Sequence, residues 1–121
     1  MVWKDHPVFK GVQFVVLIGD PAKAGDLYVL RAKYPPNYQI APHTHLGDET
    51  LTVLTGSLGV GMGKAFEKKG EMLKAGSLCM HPAKPAHYVW MDANEETIVQ
   101  VQGIGPAGIE FVNPADDPRK K

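Results

Sequence analysis

The chain has 121 residues, enough for one compact domain with its own core, and its thirteen Lys+Arg balance thirteen Asp+Glu. That neutrality excludes the basic footprint of a nucleic-acid binder, and the single cysteine, Cys79, excludes an internal disulfide framework. No segment approaches the ~18 consecutive apolar residues of a membrane-spanning helix, and the opening MVWKDHPVFK lacks a basic region followed by a long apolar one. The chain as given therefore reads as cytoplasmic and free of any membrane, with a secreted or periplasmic mature form, its signal peptide removed, as the alternative.

Thirteen glycines and ten prolines punctuate the chain, and short runs of β-branched and aromatic residues lie between them, the pattern of an all-β sandwich or barrel. The first run is GVQFVVLI at 11–18, which would be unsafe as an exposed sheet edge. LYVLRAKY at 27–34 and YQIAPHTH at 38–45 follow. Strand alternation in HTH puts His43 and His45 on one face and Thr44 on the other. Gly47 lets the chain bend, and ETLTVLT at 49–55 returns with Glu49, Leu51 and Val53 on one face and Thr50, Thr52 and Leu54 on the other. A carboxylate leading an apolar row is costly unless it is paired or bound to a metal. Two imidazoles and a carboxylate converging on one point are first-row metal chemistry. Gly56 and Ser57 read as the turn of a hairpin into SLGVGM at 57–62.

KAFEKK at 64–69 is the only helix-like piece, too short to stand alone, and is expected to be a loop excursion. SLCMH at 77–81 and AHYVWM at 86–91 read as two strands joined by a turn that Pro82 and Pro85 stiffen. His87 opens the second strand, with Val89 and Met91 on its face and Tyr88 and Trp90 opposite, and it completes a set of three nitrogens and one oxygen. His81 is either an acid/base group facing His87 across the turn or an ordinary strand-end histidine. Cys79 reads as a small buried hydrophobe, with a thiol beside a redox metal as the alternative. TIVQVQGI at 97–104 and IEFV at 109–112 close the β pattern, and residues 113–121 form a polar, mobile tail. Met62, Met72, Met80 and Met91 are expected to fill core gaps, and His6 to be a tail residue. Tyr28, Tyr34, Tyr38, Tyr88 and Trp90 are either packing or pocket lining. Lys64 and Lys84 are either solvated or poised to meet an anionic substrate at a mouth.

The two histidine-bearing stretches resemble the motifs of the cupin superfamily. In the first motif, G-x5-H-x-H-x3,4-E-x6-G, His43, His45, Glu49 and Gly56 fall in register, over about 37–56. In the second, G-x5-P-x-G-x2-H-x3-N, Gly76, Pro82 and His87 fall in register, over about 76–91. Asn37 stands for the leading glycine, Lys84 for the glycine of the second motif and Met91 for its closing asparagine, none of them a ligand position. DETLTVLTGSLGVGMG and GIGPAGIEFVNPADDPRKK are similar to a group of small bacterial single-domain cupins.

The resemblance implies one cupin domain over 1–121, a double-stranded β-helix or jelly roll of six to eight strands with a metal near one mouth. It implies one divalent transition metal per chain (Mn, Fe, Ni, Co, Cu or Zn), held by His43, His45, Glu49 and His87, with further positions open to a small-molecule substrate. Glu49 and His81 are the catalytic candidates, and Leu51, Val53, Val89 and Met91 the expected dry wall. Cupins commonly pair, which together with the 11–18 run leads to the expectation of a homodimer. Three functions follow: a metal-dependent enzyme on a small oxygenated molecule, with dioxygenase-type oxidation ahead of isomerase or lyase chemistry; a metal or ligand binding or sensing module; and a structural jelly roll with an incidental site.

Overall fold

The computed structural model describes residues 2–68 and 70–120. Among them the strands in chain order are β1 (Lys4–Asp5), β2 (Gln13–Ile18), β3 (Leu27–Tyr34), β4 (Gln39–His45), β5 (Glu49–Thr55), β6 (Ser57–Met62), β7 (Met72–Lys74), β8 (Leu78–His81), β9 (His87–Met91), β10 (Thr97–Ile104) and β11 (Ile109–Phe111). Two three-residue 3-10 turns, Pro114–Asp116 and Pro118–Lys120, are the only helical pieces among the described residues, and no helix there is long and apolar enough to cross a membrane. The strands form a six-stranded sheet, β1-β2-β3-β10-β5-β8, and a five-stranded sheet, β11-β4-β9-β6-β7. From β3 onward the chain changes sheet at nearly every connection, β6 to β7 excepted. That antiparallel alternation between two facing sheets is a jelly roll, the all-β class that the punctuated runs imply.

The inward rows make the core. β3 pairs with β10 along its whole length, from Thr97↔Tyr34 to Ile104↔Leu27. Ala32, Val53, Val99, Leu58 and Val89 meet between the sheets, all buried. On the outer side of β9, Tyr88 and Trp90 are buried as well. Phe66 covers them, its ring 4.8 Å from Tyr88 and 6.2 Å from Trp90, so the 64–68 segment is a loop pinned to the sheet by one aromatic; Lys69, the last residue of the expected excursion, lies outside the described residues. Gly59 and Gly61 pair with Trp90 and Tyr88, and a Cβ at either glycine would run into the ring opposite. The glycines of SLGVGM clear the ground on which those rings lie.

Three expectations are corrected here. Residues 56–57 do not close a hairpin, because β5 pairs with β10 and β8 whereas β6 pairs with β9 and β7. Gly56, at φ +78 with the Glu96 carbonyl 2.7 Å from where a Cβ would stand, is the step from one sheet to the other. Thr97 pins that step through Oγ1, which donates to the Ser57 carbonyl at 3.1 Å. A glycine turn between two inward-facing rows fits a crossing as well as a hairpin, and facing Leu51 and Leu58 toward one core requires the crossing. Second, only Met91 of the four methionines fills the core: Met62, Met72 and Met80 are 57%, 36% and 59% exposed, on outward positions. Third, the C-terminal segment folds back as far as Lys120, Lys121 lying outside the described residues. Arg119 donates to both carboxylate oxygens of the buried Asp117, at 2.9 and 3.1 Å, and to the Ile109 carbonyl at 2.9 Å, tying the segment to β11.

Candidate metal centre

The site is assembled from both sheets: His43 and His45 on β4 and His87 on β9 from one, Glu49 on β5 and His81 on β8 from the other. β4 delivers its two histidines through a bulge. Ile40 pairs with Val89 and His43 with His87, so β4 spends three steps where β9 spends two. The extra residue falls at Ala41-Pro42, where a proline without an N–H costs the ladder least. It also changes the parity of the strand, so that Ile40 and then His43 and His45 all reach the cavity. The Ala41 carbonyl accepts from His43 Nδ1 at 2.6 Å. Since a carbonyl only accepts, the proton sits on Nδ1 and the Nε2 lone pair is left for a ligand.

Ligand atoms of His43, His45 and His87 all lie within 4.8 Å of one another. His45 Nε2 stands 3.3 Å from His87 Nε2 and 3.4 Å from Glu49 Oε1. Two ligands each ~2.0–2.1 Å from one ion, at angles between square and tetrahedral, are roughly 3–3.5 Å apart, so these spacings fit a transition metal. Burial holds His43, His45 and His81 down at about 4, and His87, crowded in addition by the other imidazoles, at about 2. All four rings are therefore neutral at pH 7, the form that coordinates. Burial also lifts the Glu49 carboxyl to about 7, so with His45 neutral their 3.4 Å contact is not an ion pair on these side chains alone. The donor set fits a divalent ion, whose charge would stabilise the Glu49 carboxylate that burial penalises.

His81 is buried at 5% exposure and stands directly opposite Glu49 in the β5–β8 pairing. Its ring centroid is 4.5 Å from that of His87, and its Nε2 lies 3.2 Å from Cys79 Sγ. It is thus at a strand end and in the site at once, and Cys79 is its neighbour rather than an isolated hydrophobe.

These groups open on a cavity of about 290 Å³ between the sheets, near the lower end of the ~300–1,000 Å³ usual for ligand pockets. Leu51, Val89 and Met91 line it as expected, while Val53 is buried behind the lining. Tyr28 and Tyr34 line it too, and burial followed by the nearby Glu49 raises both phenols, Tyr28 to about 12. Tyr38 packs on Tyr34 and Phe9, and Tyr88 and Trp90 belong to the outer face. Lys64 and Lys84 are exposed, and neither lines the cavity.

His6 is the functional candidate that the sequence reading misplaced. It is not a loose tail residue: its Nδ1 accepts the Val8 and Phe9 N–H groups at 3.0 and 3.1 Å, its ring stacks on Phe9 at 4.6 Å, and it lines the cavity together with Phe14. The available signal was HPVF followed by a second phenylalanine, a polar ring heading a turn whose aromatics must find cover.

No family model and no curated protein matches the sequence. Solved structures do match. A polyketide cyclase, RemF, from Streptomyces resistomycificus is 19% identical, with a TM-score of 0.73 over 97% of this chain and 81% of its own. A cupin-like protein from Thermotoga maritima is 22% identical, TM-score 0.69, over 98% and 90%. A putative acetylacetone dioxygenase from Methylibium petroleiphilum is 18% identical, TM-score 0.68, over 97% and 78%. At such identities the likeness establishes the fold.

Proposed function

We propose that this chain, a cupin by fold, is a metal-dependent enzyme acting on a small oxygenated organic molecule, with dioxygenase-type oxidation ahead of isomerase or lyase chemistry. The observation that carries the reading is the convergence of His43, His45 and His87 within 4.8 Å, beside Glu49, in the wall of a largely apolar cavity. A divalent transition metal held there by the three histidines and Glu49 would polarise substrate oxygens as a Lewis acid and, if redox-active, exchange electrons. The names of the fold's neighbours, a putative acetylacetone dioxygenase and a polyketide cyclase, are in keeping with chemistry on such molecules.

The chain's own residues supply the rest. His43, oriented by the Ala41 carbonyl, presents a fixed lone pair. Glu49 would hold the ion as a carboxylate and, on leaving it, would be the base that takes a substrate proton. His81 faces it across the strand pair as the group to pass that proton on, its ring steadied by Cys79. Leu51, Val89 and Met91 keep water from the reacting atoms.

We also propose that the chain works as a homodimer. Among the described residues β1 pairs with β2 only at Gln13 and Phe14, and beyond that pairing Val16, Leu17 and Ile18 are 37%, 39% and 55% exposed. A second copy of β2 would continue the sheet there.

Metal analysis of the protein as purified, followed by a dioxygen-uptake screen with β-diketones, catechols and flavonols, tests the enzymatic reading. Metal-dependent uptake with one of these classes supports it. Stoichiometric metal with ligand binding but no turnover of any class would replace the enzyme with the binding or sensing module.

A further inference from the structure

The cavity has two polar ends, and only one of them belongs to the metal centre. On β3, Tyr28 sits at the level of Glu49, both pairing with Gly103 of β10, whereas Ala32 sits at the level of Phe14. Those two levels are four residues apart on β3, roughly 13 Å along a strand. His6 packs edge-on against Phe14, with ring centroids 5.5 Å apart, and lines the same cavity as His43, His45 and His87. Between the ends the lining is mostly apolar, with Leu30, Ala32, Leu51, Val89, Val99 and Met91 contributing beside the rings of Tyr28 and Tyr34.

The tautomer of His6 is fixed by the backbone. Nδ1 accepts two main-chain N–H groups, at 3.0 and 3.1 Å, so it carries no proton. Burial holds the imidazole down at about 4, so the ring is neutral at pH 7 and its single proton sits on Nε2. The stack on Phe9 and the contact with Phe14 fix the ring plane. His6, in the lining at the far end, therefore carries on Nε2 a pre-oriented donor that cannot act as an acceptor.

We infer that His6 is a specificity-determining residue, and that the substrate is a compact, largely apolar molecule with oxygen donors at one end and a hydrogen-bond acceptor, such as a carbonyl oxygen, at the other. The inference rests on the metal-centre reading for the first end and on His6 for the second. A substrate lacking the distal acceptor would displace water from that N–H without giving it a partner, which is how a polar group in a largely apolar pocket rejects near-isosteres. A purely aliphatic tail is disfavoured by that donor, and an anionic tail by the absence of a lysine or arginine from the lining among the described residues.

The test is calorimetric binding to the zinc-loaded full chain with three probes: benzohydroxamate, which anchors through its two oxygens, and its 4-acetyl and 4-isopropyl derivatives, which match in shape and differ in the acceptor. The wild-type chain is expected to bind the 4-acetyl probe about fivefold more tightly than the 4-isopropyl probe. His6→Asn keeps a side-chain acceptor for the two turn N–H groups but withdraws the distal donor. His6→Phe keeps the stack and removes the donor. In both variants the preference should vanish while the parent probe binds as in the wild type. Equal binding of the two derivatives by the wild-type chain, or a preference that survives both substitutions, overturns the role of His6 and leaves the metal centre standing. Failure of all three probes to bind the zinc-loaded wild-type chain overturns the metal-centre reading, and this inference with it.

Discussion

At the scale of single residues, two of the three departures from the motifs, Asn37 and Lys84, have backbone explanations. Asn37 stands where the first motif has glycine and adopts φ 63, a left-handed conformation that asparagine tolerates better than other side chains. Lys84 replaces a glycine yet is not among the residues with positive φ, so the turn before His87 makes no demand that lysine cannot meet. Gly47, expected to enable a bend, shows no positive φ, and a Cβ there would meet the Ile104 carbonyl at an ordinary 3.6 Å. The protonation states carry a prediction. His6, His43, His45 and His81 have folded values near 4, and His87 near 2, against 6.5 for a free histidine. Between those values the unfolded chain binds more protons, so their contribution to stability is present above about pH 6.5 and is lost as the pH falls toward 4. Glu49, raised from 4.5 to about 7, works in the opposite sense and offsets one histidine. The metal-free protein should therefore be less stable at pH 5 than at pH 7, by on the order of 5 kcal/mol or more. Urea unfolding of chelator-treated protein measures this, and an equal or higher midpoint at pH 5 would mean that the histidines are not held neutral by burial.

At the scale of elements, β3, β5, β6 and β10 occupy the same residues that their β-rich runs mark out, because turn residues bound each run on both sides. The two-residue β1 and the three-residue β7 carry no pattern long enough to read. Alternation brought His43 and His45 together correctly, since both lie beyond the bulge; counted from Ile40 it would have faced Thr44 inward instead. Only the pairing with β9 reveals that extra residue. The β6–β9 pair supplies a stability prediction: Gly61→Ala places a methyl group against the Tyr88 ring. It should cost about 1–3 kcal/mol, the usual penalty for overpacking, and a cost within experimental error in chemical denaturation would show that the ring moves aside freely. At the other side of the molecule, sedimentation at micromolar concentration should return a dimer. Ile18→Lys, on the exposed stretch of β2, should yield a folded monomer. A wild-type chain that sediments as a monomer would remove the dimer.

At the scale of the whole molecule, the jelly roll was legible because two motifs and nine strand-like runs agree on one architecture. The histidine cluster was legible because His43, His45 and His87 sit in those motifs, at strand ends whose faces alternation predicts. The cavity was not, because its lining comes from both sheets and from the N-terminal turn, and no local pattern announces that His6 and Glu49 share one space. The most direct test of the central claim is elemental analysis of the chain after loading and desalting, with far-UV circular dichroism to confirm the β fold. The wild-type chain and Thr44→Ala, altered on the strand face away from the cavity, should each hold about one divalent ion. His43→Ala, His45→Ala and His87→Ala should remain folded, because the apolar core between the sheets is complete without the ion, and should lose most of it, in line with the ~10–100-fold losses that follow even from disturbing a ligand's supporting contacts. A folded His87→Ala chain that kept a full equivalent of metal would contradict the account.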